Sequence, residues 1–155
     1  MSSLGKVWYF AYGSNVNTVQ LRKRIGEWRL SKRAALRNYE LVFNHYSKIT
    51  WNGYTANIQP SEKFDDIVHG VVYLINQDQL QALQKIEGVP PIEVGVELED
   101  GNEIHHVKIF LWQQPIDKER EPPKAYRELI EEGLIQHGYD RARVNQIFSR
   151  FAQKP

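Results

Sequence analysis

Apolar residues along the chain fall into short clusters, and most of these clusters have the pattern of a strand. Val7–Ala11 is rich in aromatic and branched residues, which predicts a buried strand. Ile67–Ile75 is a nearly continuous apolar run, as in strands that are buried on both faces. Shorter runs predict five further strands, at residues 33–37, 40–43, 54–59, 92–99 and 103–112.

Turn residues and gaps in the pattern separate these strands. Asp100 and Gly101 join the last two strands as a hairpin. Pro60 ends the strand at residues 54–59. Segments with little periodicity are predicted to connect the elements as loops or linkers, at residues 44–53, 61–66 and 115–123.

Helical signals appear in four places. Asn17 is a candidate N-cap for a helix at residues 18–24, and Asp140 for one that runs to about residue 152. Pro123 opens a predicted helix to about residue 136. Because strands dominate the first two-thirds and helices the end, we expect an α+β fold, in a single domain over residues 1–155.

The fourth helix begins at a capping box. Asn76 is the N-cap and Gln79 follows three residues later. Gly88 ends this helix. Its apolar stripe at helical spacing consists of Leu80, Leu83 and Ile86.

Composition narrows the class of protein. With 41% hydrophobic and 25% charged residues, the chain is typical of a soluble globular domain. It has no run of about 18 apolar residues and no signal-peptide layout at its start, so we expect a cytoplasmic protein without a membrane partner. The absence of cysteine excludes disulfides, thiolate catalysis and cysteine-bound zinc. The histidines lack the i, i+4 spacing of a helical metal pair, so no metal site is predicted.

The net charge of +1 argues against a protein that binds nucleic acid electrostatically. One local cluster is basic, and a solvated helix face beside a basic strand edge explains it more simply than a binding surface. The alternative is a nucleic-acid module in which Trp51 and Tyr54 stack on bases. The cluster comprises Arg22, Lys23, Arg24, Arg29, Lys32, Arg33 and Arg37.

A small-residue loop follows the first strand. Gly13, Ser14 and Asn15 are turn formers, and Asn17 then starts a helix. A strand, a loop and a helix start in this order leave backbone N–H groups pointing one way, which binds an anion or polarises a carbonyl. An ordinary strand-to-helix turn accounts for the same residues and stays open at this point.

Glu87 is the strongest candidate for a catalytic residue. It lies in the last helical turn before Gly88, where the helix dipole disfavours a carboxylate by about 0.3–1 kcal/mol. Partial burial would raise its pKa further, toward the range of a general base. From the residues alone, a solvent-exposed glutamate at a tolerated position remains the alternative.

Four blocks of sequence resemble the gamma-glutamylcyclotransferase family, in the family's order and spacing. They are YFAYGSN at residues 9–15, WNGYTANIQP at 51–60, HGVVYLINQDQLQALQKIEGV at 69–89 and PPKAYRELIEEG at 122–133. The resemblance implies a small mixed β-barrel with helices packed outside. It also implies an amide-cleaving acyltransferase or lyase that needs no cofactor and no nucleophilic serine.

The family's reaction closes a gamma-glutamyl compound into 5-oxoproline and releases the amine or peptide. On this resemblance Glu87 is the general acid and base, and Tyr126 reaches the substrate. We expect Glu87 and the loop to meet in one pocket, with the pKa of Glu87 raised. The resemblance places substrate binding on Tyr9, Phe10, Ala11, Tyr12, Gly13, Ser14, Asn15 and Tyr126.

The chain departs from the family pattern after Glu-Gly-Val. Family members usually carry a tyrosine a few residues on, whereas this chain has Pro90-Pro91 and no tyrosine there. The departure bears on the leaving group, which could be an amino acid, a peptide, an amine, a lysine side chain or a tagged metabolite. A non-catalytic small-molecule-binding module of the same fold is the alternative from another class. A monomer and a homodimer are both compatible with the sequence.

Overall fold

The computed structural model describes residues 5–63, 65–113 and 116–151. The elements within these ranges are β1 (Val7–Ala11), α1 (Thr18–Ile25), β2 (Ser31–Arg37), β3 (Tyr39–Ser47), β4 (Gly53–Pro60), β5 (Ile67–Ile75), α2 (Gln77–Glu87), β6 (Ile92–Leu98), β7 (Glu103–Ile109), α3 (Lys124–Gln136) and α4 (Arg141–Ile147).

Five of the strands close into a barrel in the order β1-β5-β2-β6-β7. Neighbouring strands are antiparallel, except that β1 closes the barrel by pairing in parallel with β7, where Tyr9 lies opposite Lys108. β3 and β4 form a separate two-stranded antiparallel sheet. The expectation of an α+β fold with a small mixed barrel is confirmed.

β5 is the central strand of the barrel. It pairs with β1 along one edge and with β2 along the other. Its successive residues, which point to opposite faces, are buried on both. Val71, Val72, Tyr73 and Ile75 are completely buried. This enclosure explains why the strand appears in the sequence as a continuous apolar run rather than an alternating one.

The loop predicted at residues 44–53 is wrong at both ends. β3 continues to Ser47 and β4 already begins at Gly53. A β-bulge shifts the pairing register between Val42 and His45. Because a bulge breaks the two-residue alternation of side chains, the second half of β3 has no strand periodicity to detect.

Two other predicted elements are longer than the observed ones. The β6–β7 hairpin is confirmed, but β7 ends at Ile109 rather than at residue 112. Trp112 instead exchanges two hydrogen bonds with the Asn57 side-chain amide. The last helix ends at Ile147 and is followed by a 3₁₀ turn at Ser149–Phe151, while residue 152 lies outside the described residues. Of the predicted linker, residues 116–123 contain neither helix nor strand, and Pro115 lies outside the described residues.

The caps of α2 are confirmed, but its apolar stripe is only partly buried. Asn76 and Gln79 make the reciprocal bonds of a capping box, and Gly88 takes the left-handed conformation with φ 78°. Leu80 and Leu83 are buried in the core, whereas Ile86 is 46% exposed. The stripe therefore contributes two residues to the core, while Ile86 at its end lines the pocket described below.

A glycine in α3 allows this helix to approach the chain that leaves the first loop. A Cβ at Gly133 would lie 2.5 Å from the backbone nitrogen of Asn17 and 2.6 Å from the carbonyl carbon of Val16. Both neighbours are backbone atoms, which cannot move aside as a flexible side chain could. The contact therefore fixes α3, which carries Tyr126, against the loop.

None of the described helices is long and apolar enough to cross a membrane.

We predict that Gly133→Ala destabilises the protein by about 1–3 kcal/mol, because the new methyl group overpacks a backbone contact. In an unconstrained helix the same change would be stabilising by roughly 0.5–1 kcal/mol. Urea denaturation measures the difference. Ala125→Gly on the exposed side of α3 is the control for helix propensity, and a Gly133→Ala protein more stable than the parent would contradict the prediction.

Candidate active site

The loop after β1 is held by buried tyrosine hydroxyls from two other elements. Residues Ser14–Val16 form a 3₁₀ turn, and the Tyr73 hydroxyl from β5 donates to the carbonyl oxygens of Asn15 and Val16, at 3.1 Å each. The Tyr126 hydroxyl from α3 lies on the other side of the loop. Both anchors are buried, so the loop has one fixed shape.

Tyr126 links the loop to the β3–β4 sheet. Its hydroxyl oxygen accepts a hydrogen bond from the Ala56 backbone N–H at 2.9 Å. Burial raises the pKa of Tyr126, and the backbone N–H groups of Ala56 and Ser14 partly offset the rise. A hydroxyl that accepts such a bond can still donate its own proton to another partner.

Gly13 leaves room for this hydroxyl. A Cβ at Gly13 would lie 2.9 Å from the Tyr126 hydroxyl oxygen and 3.2 Å from the Cβ of Ala56. The close approach, rather than a left-handed backbone, is the reason for glycine at this position. The Tyr12 hydroxyl does not bind the loop but donates a hydrogen bond to the carbonyl oxygen of Phe110 at 2.5 Å.

The side-chain amide of Asn15 lies between the carboxyl group of Glu87 and the guanidinium group of Arg24. Its Nδ2 donates to Glu87 Oε1 at 3.5 Å and to the Tyr9 hydroxyl at 2.9 Å. Its Oδ1 accepts from Arg24 Nη1 at 3.1 Å and from Gln20 at 3.2 Å. Carboxylate and guanidinium thus lie on the two sides of one buried amide, and Glu87 is brought to the loop.

Burial raises the pKa of the Glu87 carboxyl to about 7, and the nearby Arg24 guanidinium offsets part of that rise. Glu87 is the last residue of α2, as the sequence indicated. The sequence argument gave the helix dipole as one cause of a raised pKa, but desolvation is the cause that the structure shows. A carboxyl with this pKa exchanges protons readily near neutral pH.

One concave pocket contains most of the residues expected to bind substrate. Ala11 is the exception, because its backbone pairs with β5 and its side chain is buried away from the cavity. Tyr9 and Phe10 also pair with β5, but both line the pocket, and the Tyr9 hydroxyl reaches the Asn15 amide. The expected residues that line it are Tyr9, Phe10, Tyr12, Gly13, Ser14, Asn15, Glu87 and Tyr126.

The rest of the lining was not assigned to the site from the sequence. Arg24 stood among other basic residues, with no signal to separate it from its neighbours. The β3–β4 side brings residues from a segment without periodicity, and Pro90 and Pro91 do not line the pocket. The additional lining residues are Arg24, His45, Ser47, Thr50, Trp51, Thr55, Ala56, Ile86, Phe110 and Trp112.

The charged side chains of this pocket lie at one end, beside Asn15. Among its described lining residues only Arg24 and Glu87 carry a formal charge, and burial lowers the pKa of His45 so that its imidazole is neutral at pH 7. Within the described ranges no three His, Asp or Glu side chains come together as metal ligands. The arrangement is suited to proton transfer beside a bound zwitterion or carboxylate.

The fold and this pocket define a small-barrel protein with a proton-accepting carboxylate beside a rigid loop. A model of the family described as "Gamma-glutamyl cyclotransferase, AIG2-like" matches residues 9–133. Over 104 residues the chain is 38% identical to a gamma-glutamylcyclotransferase of Bos taurus and to one of Homo sapiens. That alignment covers 62% of this chain and 54% of each relative, so the chain spans about half the length of the curated relatives it matches.

Solved structures show the same fold over nearly the whole chain. A gamma-glutamyl cyclotransferase superposes with a TM-score of 0.84 at 28% identity, covering 97% of this chain and 89% of that one. YkqA of Bacillus subtilis superposes with a TM-score of 0.80 at 25% identity, covering 97% of this chain and 55% of its own. The chain belongs to the AIG2-like gamma-glutamyl cyclotransferase family.

We predict that Glu87→Gln stabilises the protein increasingly as pH rises. The folded-state pKa of about 7 exceeds the unfolded value of 4.5. Below pH 4.5 both states hold the proton and the carboxyl has no effect. Between pH 4.5 and 7 only the unfolded state loses its proton, so the parent protein loses stability relative to the glutamine variant.

Thermal unfolding of both proteins from pH 4 to pH 8 tests this linkage. The difference in Tm should grow across that range and level off above pH 7. Glu128→Gln, at an exposed position of α3, is the matched control and should show no such trend. A Tm difference that is constant with pH would show that burial does not raise the pKa of Glu87.

Proposed function

We propose that this protein is a gamma-glutamylcyclotransferase, which cyclises a gamma-glutamyl amine, amino acid or peptide to 5-oxoproline and releases the amine. The observation that carries the proposal is the placement of Glu87 and Arg24 on the two sides of the Asn15 amide, beside the loop. Family membership and the names of the relatives support the same reaction.

This pair of charges matches the polar end of a gamma-glutamyl substrate. The substrate's α-ammonium and α-carboxylate are attached to one carbon, so they need a carboxylate and a cation close together. Glu87 faces the ammonium and Arg24 the carboxylate, and backbone N–H groups of the loop at Gly13 and Asn15 assist in binding. Both charges would be poorly solvated in the pocket, which strengthens their attraction to the substrate.

The reaction joins two parts of one molecule. Glu87 accepts a proton from the α-ammonium, the freed nitrogen attacks the γ-carbonyl carbon, and a five-membered ring forms. The γ C–N bond then breaks as Glu87 returns the proton to the leaving nitrogen. The second proton that the ammonium loses ends on the released amine, so the products are 5-oxoproline and an alkylammonium ion.

Two features lower the barrier to this step. Holding the α-nitrogen against the γ-carbonyl gives an intramolecular attack, for which effective molarities reach about 10⁵–10⁸ M. The Tyr126 hydroxyl can donate its proton to the γ-carbonyl oxygen of the substrate as negative charge develops there. We therefore assign Tyr126 to oxyanion stabilisation. Gly13 supports this role because it has no side chain to displace the hydroxyl.

The alternative of a binding module without turnover requires the carboxyl of Glu87 to be buried for no purpose. Its pKa of about 7 is the value that a general base needs at neutral pH, so we prefer the enzyme. In the basic cluster, Arg22, Arg33 and Arg37 each pair with a carboxylate, of Glu27, Glu99 and Glu97 respectively. These pairs leave less charge for a nucleic-acid backbone.

We predict that Glu87→Gln lowers 5-oxoproline formation by roughly 10²–10⁴-fold, the usual contribution of a positioned acid–base group. The glutamine retains the hydrogen bond from Asn15 but cannot accept a proton. Mass spectrometry of 5-oxoproline across a panel of gamma-glutamyl compounds measures turnover, and a ligand-induced thermal shift measures binding. Binding should weaken but stay measurable in Glu87→Gln, because Arg24 and the loop still hold the substrate, and it should be abolished in Gly13→Val. A glutamine variant with the parental rate would rule out the mechanism.

We predict that kcat/KM rises about tenfold per pH unit below pH 7 and bends near that value, because Glu87 must be ionised in the free enzyme. Arg24→Gln should raise KM strongly, since the α-carboxylate loses its cation. It should also shift the bend to higher pH, since Arg24 holds the pKa of Glu87 down. If the bend lies at the same pH in Arg24→Gln as in the parent protein, Arg24 does not lower the pKa of Glu87 and this part of the prediction is wrong.

A further inference from the structure

The pocket has a second wall that the cyclisation mechanism does not use. A chain of contacts leads to it from the acid: Glu87 to Asn15, along the loop to Tyr126, and from the Tyr126 hydroxyl to Ala56 on β4. Thr55 comes next and contacts His45 on β3. These contacts thus connect the carboxylate, through the loop and Tyr126, to the β3–β4 sheet that carries His45.

Three aromatic side chains form the aromatic wall, which we define as His45, Trp51 and Trp112. The imidazole of His45 stacks on the indole of Trp112, with ring centres 4.0 Å apart and planes 21° apart. Trp51 meets the ring of Tyr126 edge to face, with centres 5.1 Å apart. All three line the pocket and are only partly buried, so part of each ring faces the cavity.

Two of the hydroxyl groups beside the aromatic wall have partners in the protein. Thr55 donates to the carbonyl oxygen of His45 at 3.0 Å, and its oxygen lies 3.3 Å from His45 Nδ1. Ser47 accepts from the backbone N–H of Trp51 at 3.3 Å. We therefore expect a ligand to contact the rings of the wall more than these two hydroxyls.

Among the described residues that line this side of the pocket, none carries a formal charge. The formal charges on its described lining residues are those of Glu87 and Arg24, at the Asn15 end. If the glutamyl zwitterion occupies that end, a second carboxylate on the leaving group would meet no cation of its own. Burying an unpaired carboxylate is costly, whereas a flat apolar group would stack on the rings.

We propose that the aromatic wall is the leaving-group subsite, and that it selects gamma-glutamyl derivatives of amines with an aromatic or flat apolar group and no carboxylate beside the nitrogen. The proposal rests on the proposed function, because it takes the glutamyl unit to lie at the Glu87 end. The substrate class is then a gamma-glutamyl arylalkylamine rather than a gamma-glutamyl amino acid.

The wall can be altered without dismantling the fold. Both backbone hydrogen-bonding groups of Trp112 are bound by the Asn57 side chain, at 2.7 Å and 2.9 Å, so the position of its main chain does not depend on the indole. His45 and Tyr46 are neighbours on β3 and point to opposite faces of the strand. Tyr46 is 43% exposed and outside the pocket, which makes Tyr46→Ala a matched control.

The experiment compares compounds that differ in one group. Gamma-glutamyl-phenethylamide and gamma-glutamyl-phenylalanine share the aromatic ring and differ in the carboxylate, while gamma-glutamyl-ethylamide lacks both. We expect kcat/KM to be at least about tenfold higher for the phenethylamide than for the phenylalanine compound. Equal values, or a preference for the phenylalanine compound, would overturn the proposal.

Two variants then test the wall itself. Trp112→Ala should lower kcat/KM about tenfold for the phenethylamide and less for the ethylamide, whose leaving group has no ring to stack. His45→Arg keeps a planar group on the indole but adds a cation, so it should shift preference toward the phenylalanine compound. Equal losses on both amides in Trp112→Ala, or an unchanged preference in His45→Arg, would overturn the assignment.

Calorimetric binding separates this proposal from the proposed function. Dissociation constants of the phenethylamide and phenylalanine compounds are measured on the parent protein, Glu87→Gln, Trp112→Ala and Tyr46→Ala. If no compound is cyclised but the phenethylamide binds more tightly and loses affinity in Trp112→Ala and not in Tyr46→Ala, the subsite stands and the enzymatic function fails. If cyclisation occurs without any preference, the enzymatic function stands and the subsite fails.

Discussion

The hydroxyl of Tyr73 is the constraint on which the site depends. It binds two successive carbonyl groups of the loop from below, and Tyr73 itself is completely enclosed on the central strand of the barrel. Because the carbonyl groups of Asn15 and Val16 are bound to Tyr73, the other polar groups of the loop are available to the pocket. The barrel thus positions Asn15 between Glu87 and Arg24 through Tyr73, which binds its carbonyl oxygen, and through Tyr9, which accepts from its amide.

Local signals were enough to predict most of the elements and the two ends of the site. The capping box at Asn76, the left-handed Gly88 and the N-cap at Asn17 are each determined by residues within four positions of one another. Glu87 followed from the same helix end. The resemblance supplied Tyr126, whose hydroxyl is buried and bonded to Ala56 instead of facing solvent as an aromatic at a helix start would.

Contacts between distant residues were beyond the sequence. Arg24 differs from Arg22 and Lys23 only in the face of α1 that it occupies, and it reaches Asn15 nine positions earlier. His45 meets Trp112 across 67 positions, and the bulge in β3 hides the pattern that would have placed His45 on a strand. The fold and the acid were therefore predictable, whereas the cation and the aromatic wall required the tertiary structure.

The parallel closure of the barrel has a consequence for how the chain folds. β1 pairs with β5 between 60 and 68 positions away, and with β7 about one hundred positions away. Pairings so distant in sequence form slowly, because the chain loses the entropy of a long loop before the ladder stabilises it. The loop takes its shape only once β1 is in the barrel, so the pocket is completed late in folding. We therefore expect the local β6–β7 hairpin to form before the site does.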